Sequence, residues 1–383
     1  MSSFDRTLSP NRPRIALVIT RSEIGGAQTH ILALLPALLV RYDVCLFTGH
    51  AGPLTENAQA LGTSVVTVSE TEDLRAFGLA QALRAFRPDL IHVHSFKAAM
   101  LGRWVAQFMK VPVVYTVHGW AHTSTASRAF RNMAAHIERR FVPLTHALIT
   151  LTASDQNHAV RLGYAEACIK RIPNGIEDTE HHAVAYRTKS PVDIVMPARF
   201  CRQKDHKTAI KTLNALPKGM ARLTFLGDGP TQNAIQAQAK SLGLSPDVVR
   251  FLGKRDDVAA QIAKAQIFLH LSHYEGQPYA IIEALRAGLP CLITDLPGAD
   301  ALIESGKEGW RVPPEDPETA RKILGRLASD PARRFEMGQN ARLKYETAHR
   351  LHHMTTPTLA LYDQILAEQR PLQPRPRMRT AQL

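Results

Sequence analysis

Residues 271–290 read LSHYEGQPYAIIEALRAGLP. The stretch opens on an apolar run, Ile267-Phe268-Leu269-His270-Leu271, with the character of a buried strand. It crosses a short polar loop from Ser272 to Gln277 and continues as a helix predicted to begin at Pro278. Proline suits the first helical position because the N–H it lacks has no intrahelical partner there. Ile281, Ile282, Leu285 and Leu289 recur at helical spacing and are expected to face a core. Two carboxylates frame the turn, Glu275 in the loop and Glu283 in the second helical turn. The free amides of the helix start form an anion site. Carboxylates beside such a site suit a ligand that carries hydroxyls as well as phosphate, as a sugar diphosphate does. On spacing alone, Glu275 serves equally well to complement the helix dipole, and Glu283 to pair with Arg286 on a solvated face.

Upstream of this stretch, strand-like runs at residues 14–20, 43–47, 64–68, 90–94, 113–117 and 147–151 alternate with helical segments such as 73–86 and 97–108. A polar connector at 177–191 follows. The alternation restarts at 192–197 and continues through 223–226, 249–252, 267–271 and 290–294. Alternating strands and helices imply parallel sheets covered on both faces. At roughly 150 residues per domain, 383 residues suit two domains of this kind. They divide as an N-terminal unit over 1–180 and a C-terminal unit over 181–356. A last helical pattern at 357–369 carries Leu359, Tyr362, Ile365 and Leu366 on one stripe. Residues 1–13 and the basic tail 370–383 are expected to be disordered.

The net charge of +13 points to anionic partners, namely phosphorylated substrates, nucleic acid or an anionic membrane surface. Cys45, Cys168, Cys201 and Cys291 form no C-x-x-C pair and read as thiols in a reducing compartment. The first residues have no signal-like apolar core, and the longest apolar run, 31–40, is too short to span a bilayer and is broken by Pro36. A cytoplasmic protein, soluble or peripheral on a membrane, is expected.

Several strand ends carry chemistry. Gly25 and Gly26 follow the first strand and allow close backbone approach to a ligand, although a tight turn explains them too. Pro36 is expected to kink or shorten the helix after them. Arg199 and Lys204 follow the strand at 192–197, where a bidentate guanidinium and a compact ammonium suit diphosphate oxygens; a solvated basic loop is the alternative. Gly227 lies in a Gly-Asp-Gly turn suited to a nucleotide or to a structural bend. His118 precedes Gly119 at a strand edge, placed to bond a sugar hydroxyl or to serve the fold. His92 and His94 share a strand face, but no carboxylate or cysteine stands nearby in sequence, so no metal site is expected. Residues 126–141 are basic and amphipathic, with Phe130, Met133, Ala134, Ile137 and Phe141 on one stripe. They suit either an ordinary surface helix or docking onto anionic lipid.

Glu275 through Glu283, Asp295-Leu296-Pro297-Gly298, Ile172-Pro173-Asn174-Gly175, Gly25-Gly26-Ala27-Gln28, Arg199 with Lys204, and Gly227-Asp228-Gly229 occur in an order that resembles the family 4 glycosyltransferases, whose retaining members carry an E-x7-E signature. The resemblance covers about residues 14–368 and implies the GT-B fold, two Rossmann-like doubly wound parallel-sheet domains facing across a cleft, with the final helix returning to the N-terminal domain. By this resemblance Glu275 would hold donor-sugar hydroxyls and Glu283 the nucleotide ribose. Arg199 and Lys204 would grip the diphosphate, helped by the amides of Gly276, Gln277 and Tyr279; Gly26 would admit the donor phosphate, and His118 would contact the sugar. It also implies front-face transfer from a nucleotide-sugar, a UDP-sugar in particular, with no divalent metal or other cofactor. The acceptor would be lipid-linked, at the inner membrane face in surface polysaccharide or lipopolysaccharide synthesis, and nucleic acid is not a partner. Departures at Gln277-Pro278-Tyr279, at Asp205 and at Thr152-Ala153-Ser154-Asp155 bear on which sugar is recognised. A non-hydrolysing UDP-sugar 2-epimerase and a non-catalytic nucleotide-sugar-binding scaffold are the competing readings.

Overall fold

The apolar runs fold as parallel strands because helices cover both faces of each. The computed structural model describes residues 12–68, 74–123, 127–185, 187–188 and 190–369. The first unit runs β1 (Arg14–Ile19), α1 (Gly26–Arg41), β2 (Asp43–Thr48), α2 (Pro53–Ala60), β3 (Ser64–Thr67), α3 (Ala76–Phe86), β4 (Leu90–His94), α4 (Phe96–Met109), β5 (Val113–Thr116), α5 (Arg128–Phe141), β6 (Ala147–Thr150), α6 (Ala153–Leu162) and β7 (Ile169–Arg171). Its seven strands pair in the order β3-β2-β1-β4-β5-β6-β7, all parallel.

The second unit runs β8 (Val192–Pro197), α7 (His206–Asn214), β9 (Ala221–Leu226), α8 (Gln232–Ser241), β10 (Val249–Phe251), α9 (Val258–Ala263), β11 (Ile267–His270), α10 (Tyr279–Ala287), β12 (Cys291–Thr294) and β13 (Gly309–Val312). Its six parallel strands pair in the order β10-β9-β8-β11-β12-β13. Each sheet therefore reverses its winding once, between β1 and β4 and between β8 and β11. The crevice past the strand ends at such a point is where doubly wound sheets bind ligands.

Three helices close the chain, α11 (Pro317–Ser329), α12 (Pro331–Ala348) and α13 (Leu351–Gln369). Met354, Leu361, Tyr362, Ile365 and Leu366 of α13 share a core with Ile15, Leu17, Ile31 and Leu34, so the C-terminal helix completes the first unit. The two crossings between units lie side by side. The Ile176 amide donates to the His349 carbonyl (2.9 Å), and a Cβ on Gly175 would stand 2.6 Å from the Arg350 carbonyl oxygen.

The structure corrects several local expectations. The helix after Glu275 begins at Tyr279, and Pro278 is its extended N-cap rather than its first turn. α1 runs through Pro36 without ending there, and α13 begins at Leu351 and contains Pro357. Packing on both sides of these helices outweighs one lost backbone bond. The short edge strands β7 and β13 and the helix α2 have no clear periodicity to announce them. At β13 the signal is Gly309 itself, whose Cβ would meet the Cys291 carbonyl oxygen at 1.9 Å. Expectations for residues 1–11, 69–73, 124–126 and 370–383 fall outside the described residues. All four thiols are free, and among the described residues no helix is long and apolar enough to cross a membrane.

α5 is anchored by a buried ion pair. Arg103 of α4 donates to both carboxylate oxygens of Glu138 (2.7 and 3.1 Å), and Tyr164 adds a third bond to that carboxylate at 2.6 Å. Both partners are essentially excluded from water. Glu138→Ala strands the guanidinium, and a loss of roughly 3–5 kcal/mol in denaturant-measured stability is expected. A loss below about 1 kcal/mol would contradict this account of the anchor.

Candidate active site

Two loops of the second unit are zipped together by their backbones. The Asp205 amide donates to the Leu271 carbonyl (2.9 Å), the His273 amide to the Gln203 carbonyl (2.9 Å), and Lys204 bridges Ser272. This register brings Lys204 onto Glu275. One oxygen, Oε1, accepts from the Lys204 ammonium and from the Ser272 hydroxyl (2.7 Å) and lies 3.1 Å from His270 Nε2; Oε2 accepts from Gln203 Nε2 (3.2 Å). Burial raises the Glu275 carboxyl, but the Lys204 charge and the His270 bond overcome it and hold the group at about 2. Glu275 is thus an ionised carboxylate fixed in position. A cavity of about 20 Å³, about the size of one water, lies beside it, lined in part by Ser272, Pro278, Leu296 and Pro297.

Glu283 behaves differently. It is half-buried one turn into α10, and burial raises its carboxyl above the usual range, with Arg286 opposing. It makes no hydrogen bond or ion pair among the described residues. The pairing with Arg286 suggested by spacing is not formed, because Arg286 Nη1 donates to the Glu177 carbonyl at 2.9 Å. A partnerless, partly desolvated carboxylate is an acceptor awaiting donors. Arg199 is exposed, with its guanidinium free of any protein partner among the described residues.

The helix starts are open. α10 has no side-chain cap at Pro278, and α1 has none at Gly25. A Cβ on Gly26 would meet nothing within 4 Å, so the start of α1 faces open space. Other glycines have protein reasons. Gly227 has φ +132°, its Cβ would lie 2.4 Å from the Ala198 carbonyl oxygen, and its amide already bonds Gly253 (2.8 Å). Gly276 marks the meeting of the units, since a Cβ there would stand 2.2 Å from the His118 carbonyl oxygen.

Gln277 closes the same seam with its side chain. The Asn174 amide donates to Gln277 Oε1 (2.6 Å), and Asn174 Nδ2 donates to the Gln277 carbonyl (2.9 Å). Tyr279 is buried and its hydroxyl faces Met354 Sδ at 3.7 Å. Gly298 packs on Thr152 across the seam. Glu275 and His118 therefore stand on loops in direct backbone contact across the cleft.

Sequence reasoning missed the surroundings of His118. Its Nε2 lies 3.0 Å from His94 Nδ1, and the fully buried His30 of α1 packs edge-on against it at a centroid separation of 4.9 Å. Burial drives the basicity of His30, His94 and His118 well down, so all three are neutral near pH 7. The neighbours of His94 are histidines from positions 30 and 118, brought together at the reversal of the first sheet. His92 is separately satisfied by Tyr362 and Thr116.

Comparisons with known proteins bear on the family and the fold. The family described as Glycosyltransferase Family 4 matches residues 24–180, and the one described as Glycosyl transferases group 1 matches residues 177–344. The chain is 26% identical over 330 residues to the Escherichia coli UDP-Gal:alpha-D-GlcNAc-diphosphoundecaprenol alpha-1,3-galactosyltransferase, covering 79% of this chain and 84% of that one. It is 27% identical over 306 residues to a Mycobacterium tuberculosis glycogen synthase, covering 77% and 73%. The crystal structure of Anabaena HepE with UDP and glucose superposes with a TM-score of 0.81 at 18% identity, over 92% of this chain and 100% of that one. That likeness identifies the two facing parallel-sheet units as the GT-B fold. With the two matches meeting at the crossing near residue 177 and together spanning residues 24–344, the chain belongs to the family 4 glycosyltransferases.

Proposed function

We propose that the protein is a retaining glycosyltransferase that moves a monosaccharide from a UDP-sugar to a lipid-linked acceptor in the assembly of a cell-surface polysaccharide or lipopolysaccharide. The observation that carries this is the ionised Glu275, fixed by Lys204 just before α10 on the loop whose Gly276 meets the His118 backbone across the seam. Glu275 Oε2, with one protein donor, accepts a donor-sugar hydroxyl. Glu283 accepts from the ribose. The diphosphate sits over the amides at the α10 start, with Arg199 and Lys204 neutralising its charge, and Gly25 and Gly26 let the start of α1 approach from the other unit. The UDP preference is supported by the donor in the name of the similar galactosyltransferase, whose acceptor is a diphosphoundecaprenol.

The step is a front-face displacement. The bond from the anomeric carbon to the phosphate oxygen breaks and the bond to the acceptor oxygen forms on the same face. The acceptor's proton passes to the departing phosphate oxygen. Positive charge from Arg199 and Lys204 stabilises that oxygen in place of a divalent ion. His118, neutral and at the seam, orients the sugar near the reacting carbon. The direct experiment is a panel of UDP- and GDP-sugars assayed for slow hydrolysis without acceptor. Release of UDP from one UDP-sugar, with the free sugar keeping its anomeric configuration, is expected. UDP binding without turnover of any donor would contradict the reading, as would donor epimerisation.

Acceptor lipid places the enzyme at a membrane, and α5 suits that surface. Its apolar stripe does not all face inward. Ala134 and Glu138 are buried, whereas Phe130 and Met133 are open to solvent among exposed Arg128, Arg131, Arg139 and Arg140. Trp104 and Phe108 on the neighbouring α4 are exposed as well. Exposed aromatics among arginines suit the interface of an anionic leaflet. Recovery with anionic vesicles in flotation should fall severalfold in an Arg139→Glu/Arg140→Glu variant, at about 1 kcal/mol per basic residue. Unchanged recovery removes α5 from membrane docking.

A further inference from the structure

We propose that His30, His94 and His118 form a binding site for a borderline transition-metal ion, Zn²⁺ in particular, and that its occupation withdraws His118 from the reaction. The three rings stand at the corners of a near-equilateral triangle, with centroid separations of 5.5, 4.9 and 5.3 Å. Three imidazoles on a tetrahedral ion at about 2.0–2.1 Å hold their centroids roughly 5 Å apart. One ring nitrogen from each lies within 4.8 Å of the others. Closing these gaps to the roughly 3.3 Å between ligand atoms of a tetrahedral site takes small ring rotations.

The hydrogen-bond pattern supplies a second, independent argument. Asn174 Nδ2 donates to the Gln277 carbonyl (2.9 Å), which turns Asn174 Oδ1 toward His30. His30 Nδ1 must then carry the proton and donate to that oxygen at 2.9 Å, leaving Nε2 as a bare lone pair. This Nε2 is buried and partnerless among the described residues, and so is His94 Nε2. Two orphaned ring nitrogens in one buried cluster are costly unless something occupies them. A ligating imidazole whose other nitrogen is anchored by an amide oxygen is the usual outer shell of a metal site. His118 is only half-buried, so the ion would take its fourth ligand from the His118 side of the cluster. Three nitrogens and no carboxylate favour Zn²⁺ or Co²⁺ over Mg²⁺.

The test uses the tag-free full chain, stripped with EDTA and titrated with Co²⁺. One equivalent should bind with the intense visible bands of tetrahedral cobalt, be displaced by Zn²⁺ and be unaffected by excess Mg²⁺. His30→Asn keeps a donor toward Asn174 while deleting Nε2, and it should weaken cobalt binding more than about tenfold; His94→Asn should do the same. X-ray absorption on the Zn²⁺-loaded wild-type protein should count three imidazoles, whatever the variants do. Absence of bound metal, unchanged binding in both variants, or two imidazoles, as the half-buried pair His122 and His158 would give, overturns the proposal. Loss of sugar transfer on adding Zn²⁺, restored by EDTA, is the functional consequence and rests on the function proposed above. The cobalt and absorption readouts do not, so a failure of that function leaves the metal site separately decided.

Discussion

Glu275→Gln is expected to lower sugar transfer roughly a hundred- to a thousandfold, the scale of removing one organised charge contact from a transition state, while UDP binding changes little. The substitution keeps the shape but removes the charge that pairs with Lys204 and His270. The loss belongs in kcat, because the carboxylate is assigned to the donor sugar while the nucleotide is held further along α10. A variant that loses only UDP affinity would place Glu275 at the nucleotide instead. Stability should respond as well. The folded carboxyl sits at about 2 against an ordinary value of 4.5, so the carboxylate contributes stability that is fully present above pH 4.5 and fades as pH falls toward 2. The stability gap between wild type and Glu275→Gln should therefore be constant from pH 6 to 8 and narrow below pH 4.5. Lys204, left without its anion, makes the neutral-pH gap roughly 3 kcal/mol.

Gly276→Ala is expected to be nearly as damaging to turnover, for a different reason. The added methyl would stand 2.2 Å from the His118 carbonyl oxygen and 2.9 Å from its carbon. Both are backbone atoms, so no side-chain rotation relieves the clash. The loops must part by roughly an ångström, and a displacement of that size between reacting groups costs about a hundredfold in rate. The nucleotide keeps Glu283 further along α10, so kcat should fall far more than UDP affinity. Normal turnover would mean that the seam between Gly276 and His118 is not closed when the sugar moves.

Much of the architecture is legible in the residues themselves. Buried parallel strands announce themselves by length and apolarity, so the alternation from β1 to β12 follows directly. The loop bearing Glu275 and the helix bearing Glu283 are legible because both lie on one short local unit. Contacts set by long-range register are not. Nothing local says that Lys204 bridges Ser272 and so lands on Glu275, or that His30, His94 and His118 converge. The three departures from the family pattern find structural reasons in contacts of this kind. Gln277 stitches α10 to Asn174, the Asp205 carboxylate caps α7 by accepting from the Thr208 amide, and Thr152 caps α6 while receiving Gly298. These residues hold the loops and the seam.

The most direct measurement is a crystal structure of the protein soaked with a non-transferable UDP-sugar analogue. The account predicts the diphosphate over the amides at the start of α10 within reach of Arg199 and Lys204. It places a ribose hydroxyl on Glu283, now supplied with the partner it lacks, and a sugar hydroxyl on Glu275. A nucleotide seated elsewhere, with Glu283 still without a donor and Glu275 bonded only to protein, would contradict it.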